Sequence, residues 1–498
     1  MKVIITTAGR GSRISGKTDI LNKALIKVGD KAMINHIIDS YPATTKFVIV
    51  LGYKGDQVMD YILLCYPDHN IEFVRVDLTK KQSMLYSLVT AIKESADPYS
   101  AFIYNACDMF VPDAHTLWGH YTDTLMFGST LMDNVMYDCV DSNGKLQYKG
   151  HKGYPYLGVC YVVKTATFVE NAEIILELCG ESERNDFSVF KKSNTDIRHI
   201  KKDLWYDIGN IHAWRESDAK MGRTFFTSEK IDRETYFIEG HVIKFLKNEE
   251  DIDELYQRRS QFNYTDIVMG QFIKMDFVHG VSADLKCDRQ VMNFIINHLK
   301  NKVQVDYKFN HFYTRKTLDR VGKFLTDNND YNLINGERIK EPIQDMINAC
   351  GRALGLTAII GAHGDFVLSN VIVKGDGIHY IDIRTDFGGN DYGALEYEWA
   401  KLSHSLLFNH KKISLGEYNF NELDDECYVD ITVSYNNLLF LEMVRESIPE
   451  NQRTTVEILH AFVWLSMSPL HPCVEGKILY ALGKLKLYQC YNILNAET

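Results

Sequence analysis

No stretch of the sequence approaches the roughly 18 consecutive apolar residues of a membrane span. The opening Met1-Lys2-Val3-Ile4-Ile5 is apolar, but Gly9-Arg10-Gly11 soon breaks the pattern, which is too short for a signal peptide. The ten cysteines include no CxxC pair, so zinc-ribbon and thioredoxin patterns are excluded. They read as reduced, mostly buried thiols of a cytoplasmic protein. There is no excess of basic charge: Lys+Arg is 55 against 66 Asp+Glu, a net charge of −11. A general nucleic-acid binder needs basic faces and is disfavoured; small phosphorylated ligands, whose sites are local, are not. Low-complexity segments and internal repeats are also lacking. What remains is an ordinary globular composition, 45% hydrophobic and 24% charged over 498 residues, enough for two to four domains at roughly 150 residues each.

The first 225 residues alternate short apolar runs with helical patterns. Val3–Ile5, Lys46–Leu51, Ile71–Val76 and Ala101–Tyr104 read as strands; Ala32–Tyr41, Gly55–Cys65 and Ser83–Ser95 read as helices. That alternation implies βαβ units and an α/β, mainly parallel sheet with helices on both faces. Asp141-Ser142-Asn143-Gly144 reads as a hairpin turn in an antiparallel insertion. Near residue 225 the pattern changes. Thr235–Ile238 and His241–Phe245 read as a strand pair around Glu239-Gly240. From about 286 onward the chain reads as helical, broken by one strand-rich stretch, Ala358–Asp382, and ending in an all-helical tail from Asp430 to Leu494.

Two constellations carry chemistry. The first begins after the opening strand with Ala8-Gly9-Arg10-Gly11-Ser12-Arg13. Glycines there let backbone N–H groups cradle an anion, and Arg13 adds charge against a triphosphate. Lys23 follows ten residues on. Asp108 ends the strand around Phe102–Tyr104, where α/β sheets bind ligands, and Asp207 lies far along the chain in Trp205-Tyr206-Asp207-Ile208-Gly209. Two distant carboxylates could converge on Mg²⁺. Together these segments resemble the nucleotidyltransferases that activate sugar 1-phosphates. The strand, the glycine loop, Asn22-Lys23, Val28-Gly29-Asp30-Lys31, the turn Leu51–Asp56, Asp108, Gly158–Tyr161 and the late Trp205–Gly209 match that pattern over residues 1–225. The resemblance implies a Rossmann-like nucleotidyltransferase sheet. It implies that Ala8, Gly9, Gly11 and Arg13 hold the triphosphate, that Lys23 neutralises the α-phosphate, and that Asp108 and Asp207 bind Mg²⁺. Gln82 falls in the base-reading segment. Either Lys149 or Lys152 would meet the acceptor phosphate. Asn22 replaces the family's proline before Lys23, and the expected effect is only a more relaxed loop.

The second constellation is Ala362-His363-Gly364-Asp365 through Asn370, followed by Tyr380-Ile381-Asp382. An Asp five residues before an Asn, then an Asp ending a strand, is the arrangement phosphoryl transfer needs. It resembles the aminoglycoside phosphotransferase and choline kinase family. The resemblance implies Asp365 as catalytic base, Asn370 and Asp382 as metal ligands, His363 as a support of the loop, Lys244 as a phosphate-binding lysine and Glu254 as its ion-pair partner. It extends over a domain 226–498, with a small lobe 226–285 and a helical large lobe 286–498 like that of protein kinases. Trp399, Tyr435, Phe440 and Trp464 read as helix-packing aromatics, and the 17 histidines show no HExxH or paired metal spacing.

Taken together, the two resemblances suggest a bifunctional enzyme. It would phosphorylate a small hydroxyl compound and then join the product to a nucleotide, releasing pyrophosphate, for surface-glycan precursors. Asp207-Ile208-Gly209 resembles the sugar branch, whereas phosphocholine cytidylyltransferases tend to Glu-Ile-Asp; choline or ethanolamine activation is the alternative. The expected partners are NTPs, Mg²⁺ and small acceptors, with no nucleic acid and no membrane. The base, the acceptor and the oligomeric state stay open.

Overall fold

The computed structural model describes residues 1–498 except 15, 78–82, 117–121, 134–136, 179–185, 191–194, 225–232, 263, 376, 385, 472 and 497–498. The chain divides into two compact units: Met1–Ile252 with Asp266–Phe277, and Asp253–Thr265 with Val278–Thr498.

The first unit is built on β1 (Lys2–Thr6), α1 (Met33–Asp39), β2 (Lys46–Leu51), α2 (Gly55–Cys65), β3 (Ile71–Arg75), α3 (Met84–Glu94) and β4 (Phe102–Ala106). The strands stand in the order β3-β2-β1-β4, all parallel, with Lys2 level with Phe102 and Thr6 level with Ala106. The strand direction of travel therefore reverses on either side of β1. The C-terminal ends of β1 and β4 form the crevice in which such sheets bind ligands. Beyond β4 the sheet turns mixed: β5 (Thr124–Gly128) and β6 (Tyr154–Val162) join antiparallel, β7 (Asp196–Ile200) pairs with β5, and the helices α4 (Thr165–Leu178) and α5 (Ile211–Met221) complete this part of the chain. The hairpin expected at Asp141–Gly144 forms between Cys139–Val140 and Leu146–Gln147.

The apolar runs explain the layers. In a strand, successive side chains point to opposite faces. Val3, Ile5, Phe47, Ile49 and Leu51 pack with Ile37, Val58 and Ile62 of α1 and α2. Ile4, Val48 and Val50 pack with Leu85, Leu88 and Ile92 of α3 on the other face. Both faces are covered, so these strands read as continuous hydrophobic runs and not as alternations.

The strands after residue 232 belong to the same unit. β8 (Arg233–Ile238), β9 (His241–Leu246), β10 (Ile267–Met269) and β11 (Phe272–Asp276) make an antiparallel sheet in the order β8-β9-β11-β10. Its apolar face is covered by α2. Tyr236 stacks edge-on against Tyr61, with ring centroids 4.9 Å apart, and its hydroxyl donates to the Leu25 carbonyl at 2.8 Å. Tyr236, Ile243, Phe245 and Phe272 lie in the same core as α1 and α2. The compact division thus does not coincide with the boundary read near 225.

The second unit is mainly helical: α6 (Arg289–Lys300), α7 (Phe312–Asp327), α8 (Ile343–Arg352), α9 (Leu395–Leu407), α10 (Tyr435–Ser447), α11 (Glu450–Met467) and α12 (Val474–Ala496). α9 and α11 are its core; Trp399, Ala400, Leu402, Ile458, Leu459 and Leu465 are almost fully buried. The strand-rich stretch between α8 and α9 holds a hairpin, Val371–Lys374 with Gly377–Tyr380. The pattern from 286 onward conceals a second hairpin, Tyr418–Leu423 with Glu426–Ile431. It alternates buried Cys427 and Val429 with exposed neighbours, and the all-helical tail begins only after it. Trp399, Phe440 and Trp464 pack as expected, but Tyr435 is exposed at the first position of α10. Among the described residues no helix is long and apolar enough to cross a membrane.

Candidate active site

At the end of β1, Thr7 is tied to β2 by its hydroxyl, which donates to the Val50 carbonyl at 2.8 Å. The chain then opens into Gly9-Arg10-Gly11, with Arg10 and Arg13 exposed. Gly11 has φ +66°, and an added Cβ would stand 3.0 Å from Lys23 Cβ and Thr18 Cγ2. A side chain there would be strained twice over.

Asn22 organises this loop and does not relax it, contrary to the expectation from the missing proline. It is fully buried. Its Nδ2 donates to the carbonyls of Thr7 and Tyr53 at 3.0 and 2.6 Å, and its Oδ1 accepts from Ala24 N at 2.9 Å as the cap of the turn Lys23–Leu25. A proline in this position would supply none of these bonds. The amide gives the loop polar anchors where the family uses a rigid ring.

Lys23 and Asp108 form a partly buried ion pair and hydrogen bond. Burial pushes the Asp108 carboxyl up, but the Lys23 ammonium, aided by Arg13, outweighs it and holds Asp108 below the usual carboxylate range. Asp207 is set beside Asp108 by a short antiparallel ladder in which Asp207 faces Met109 and Tyr206 faces Phe110. The Ile208 N–H donates to the Asp108 carbonyl at 2.9 Å. Gly209 N–H donates to Asp207 Oδ1 at 2.6 Å, and the Tyr137 hydroxyl donates to Oδ2. Burial, and then the negative charge of Asp108, pushes the Asp207 carboxyl up to about 6. The two carboxylates read from distant segments are therefore neighbours. One is kept ionised by a lysine; the other is held high by burial and by its neighbour's charge. A donor set of paired carboxylates beside the Gly9–Arg13 loop suits a hard divalent cation such as Mg²⁺.

Next to Asp207 lies a cavity of about 190 Å³ whose wall includes Tyr137, Trp205, Lys202 and Lys220. The buried Trp205 indole N–H has no hydrogen-bond partner among the described residues. Lys149 and Lys152 are both exposed, and Lys152 pairs with Asp133 at 2.9 Å. Gln82 lies outside the described residues.

In the second unit the loop His363–Asn370 is held from both sides. Glu398 of α9 accepts from the N–H groups of His363 and Gly364 at 3.0 and 2.7 Å. His363 Nε2 lies 2.8 Å from the Ile381 carbonyl, and its Nδ1 accepts from Asp365 N at 3.2 Å. Those partners require the neutral Nε2–H tautomer, and burial pushes this imidazole down to about 4. Asn370 Nδ2 donates to the Asp365 carbonyl at 2.9 Å. Burial pushes the Asp365 carboxyl up, but Lys401 Nζ stands 2.6 Å from its Oδ1 and brings it well below the usual range. Asp382 lies just past the strand Gly377–Tyr380, with φ +55°, near enough for its charge to raise His363. Asp365 and Asn370 are thus in contact. Lys244 lies on β9 in the first unit, and Glu254 on the helix Glu249–Ser260, within the second.

Asn22 was read only as relaxing its loop, and three residues of these sites escaped the sequence reading: Tyr137, Glu398 and Lys401. For the last two a signal existed. Glu398 and Lys401 stand three apart on one face of a helix in which Leu395 through His404 are all buried. Charged residues are almost never buried without a partner.

Residues 3–123 match the family described as the MobA-like NTP transferase domain. The chain is 36% identical over 72 residues to a protein named "Probable glucose-1-phosphate cytidylyltransferase" in Bacillus subtilis (strain 168), a stretch that is 14% of this chain and 28% of that protein. It is 33% identical over 63 residues to the glucose-1-phosphate cytidylyltransferase of Salmonella typhimurium, 12% of this chain and 24% of the relative. The chain thus spans about a quarter of the length of the curated relatives it matches. Among solved structures it is similar to the CTP:phosphocholine cytidylyltransferase of Streptococcus pneumoniae, with 15% identity, a TM-score of 0.36, and 44% of this chain and 97% of that one covered. The family match ends at residue 123 and does not bear on the Asp365 loop. The N-terminal part of the chain carries a nucleotidyltransferase domain of the MobA-like NTP transferase kind.

Proposed function

We propose that the first unit transfers a nucleotidyl group from an NTP to a sugar or polyol phosphate and releases pyrophosphate. The observation that carries this is the apposition of Asp108, Asp207 and Lys23 beyond β4, next to the Gly9–Arg13 loop at the switch point of the sheet. The glycine-loop N–H groups and Arg13 hold the triphosphate, and Lys23 offsets charge at the α-phosphate. Asp108 and Asp207 would hold Mg²⁺, which when bound supplies charge neutralisation for the transferred group. The acceptor's phosphate attacks the α-phosphorus in line, the bond to the β-phosphate breaks, and pyrophosphate carries away that electron pair. The matched glucose-1-phosphate cytidylyltransferases and the sequence Asp207-Ile208-Gly209 favour a sugar acceptor. The alternative is a choline- or ethanolamine-phosphate acceptor with CTP.

A second activity is favoured by the Asp365–Asn370 contact: phosphorylation of a hydroxyl compound, with Asp365 orienting the hydroxyl and Asn370 and Asp382 holding the metal. Lys244 and Glu254 belong to this reading through their sequence context.

The test is mass spectrometry of products from the full chain with a panel of acceptors and acceptor phosphates, and ATP, CTP, UTP and GTP. Asp108→Asn should lose pyrophosphate release and keep NTP-dependent phosphorylation; Asp365→Asn should do the reverse. If both variants fold and lose both activities equally, the two-site reading fails.

A further inference from the structure

Spacing along the chain shows no metal pattern among the histidines, yet the fold of the second unit gathers one. His410, His471 and Glu475 each offer a ligand atom, and these atoms all lie within 4.8 Å of one another. Nδ1 of His410 is 2.5 Å from Glu475 Oε1, and Nδ1 of His471 is 3.5 Å from Oε2. The two imidazole rings lie face to face, with centroids 4.7 Å apart and 17° between planes.

We propose that His410, His471 and Glu475 form a binding site for a divalent first-row transition ion of the zinc class, through two imidazole nitrogens and one carboxylate. This does not depend on either activity proposed above.

The donor chemistry supports it. Two nitrogens and one oxygen suit zinc, cobalt or nickel, whereas Mg²⁺ and Ca²⁺ take oxygen ligands. The ligands also come from well-fixed backbone. His410 opens the short helix His410–Ser414. Glu475 stands in the first turn of α12, and His471 lies four residues before it. Gly476 lets that turn close: an added Cβ would be 2.5 Å from the carbonyl oxygens of His471 and of Ser468. Buried His404 of α9 lies edge-on to His410, with ring centroids 5.8 Å apart. The side chains are 41%, 26% and 19% exposed for His410, His471 and Glu475. One side of the site is therefore open, and water can complete the coordination. The ion would fasten the start of α12 to the segment that leaves α9, the helix bearing Glu398 and Lys401.

The test uses the full chain, stripped with a chelator and titrated with Co²⁺ in excess Mg²⁺, which fills all-oxygen sites. The wild type should develop the intense visible bands of four- or five-coordinate Co²⁺, and Zn²⁺ should abolish them. His410→Ala, His471→Ala and Glu475→Gln should each weaken binding by roughly 100-fold, no less than the loss of an outer-shell partner costs at known sites. Circular dichroism checks folding. If His471→Ala fails to fold, His410→Ala at the more exposed position carries the test. A wild-type chain without these bands, or with bands that survive in His410→Ala and Glu475→Gln, overturns the proposal. The trio is then a carboxylate hydrogen-bonded by two imidazoles and no more.

Discussion

A buried amide is costly unless its donors and acceptor are all engaged, and Asn22 engages them with three backbone groups of the nucleotide loop. Asn22→Ala should therefore destabilise the first unit by about 1–3 kcal/mol, the usual cost of orphaning buried polar groups, and weaken NTP binding. Equilibrium denaturation and a nucleotide titration check this; an unchanged midpoint would mean that water replaces the amide. Asp186 is the pH-sensitive counterpart. It is buried, accepts from the Tyr156 hydroxyl, and its carboxyl is pushed up by burial to about 6. The folded state then binds a proton more tightly than the unfolded chain. Its contribution is intact below the ordinary Asp range and is lost as the pH rises through about 6. Relative to Asp186→Asn, the wild type should lose up to roughly 3 kcal/mol between pH 4 and pH 7. Parallel pH profiles for the two proteins would show that Asp186 does not titrate in that window.

Among the elements, helix α9 supports the second constellation from below. Glu398 takes two loop N–H groups and Lys401 takes the Asp365 carboxylate, one turn apart on the same helix. Burial pushes Glu398 up to about 7. The loop also depends on a left-handed backbone at Gly364, φ +76°, where a Cβ would stand 2.4 Å from the Phe387 ring. Gly364→Ala should cost roughly 1–3 kcal/mol of local stability. Hydrogen exchange should show it as faster exchange around residues 363–384, with amides of β1 and β4 unchanged. Equal acceleration in both units would show that they unfold together. Lys401→Met should raise the Asp365 carboxyl toward and past its usual range, because the offsetting charge is gone while burial remains. The acid limb of any Asp365-dependent activity should then move to higher pH.

For the whole molecule, the question is whether the two proposed activities would serve one sequence of reactions. A kinase product is the chemical type that a nucleotidyltransferase accepts, and joining the sites on one chain raises their mutual concentration. With unphosphorylated acceptor, γ-labelled ATP and a second NTP, the label is expected in the final conjugate, at the phosphate next to the acceptor. A conjugate that never carries the label, together with a transferase that accepts only compounds the other site does not make, would mean separate reactions.

The α/β class of the N-terminal part and the rough bounds of its strands and helices were legible in the linear pattern. Local rules govern them: α2 runs from Gly55 to Cys65 and β2 from Lys46 to Leu51, as periodicity predicts, and Asp108, Asp207, Asp365 and Asn370 stand in recognisable motifs. The hairpin at 418–431 was hidden because its two short strands interrupt a region of helical pattern. The attachment of the strands after residue 232 to the first core depends on Tyr61 meeting Tyr236, which no local pattern encodes. The same holds for Asn22, Glu398, Lys401 and the His410–His471–Glu475 cluster. Each acquires its meaning from a partner between 15 and 65 residues away that only folding brings within bonding distance. Propensity and periodicity act over a few residues, so they specify elements. Partner choice is decided by burial, which makes an unpaired polar group too costly to keep.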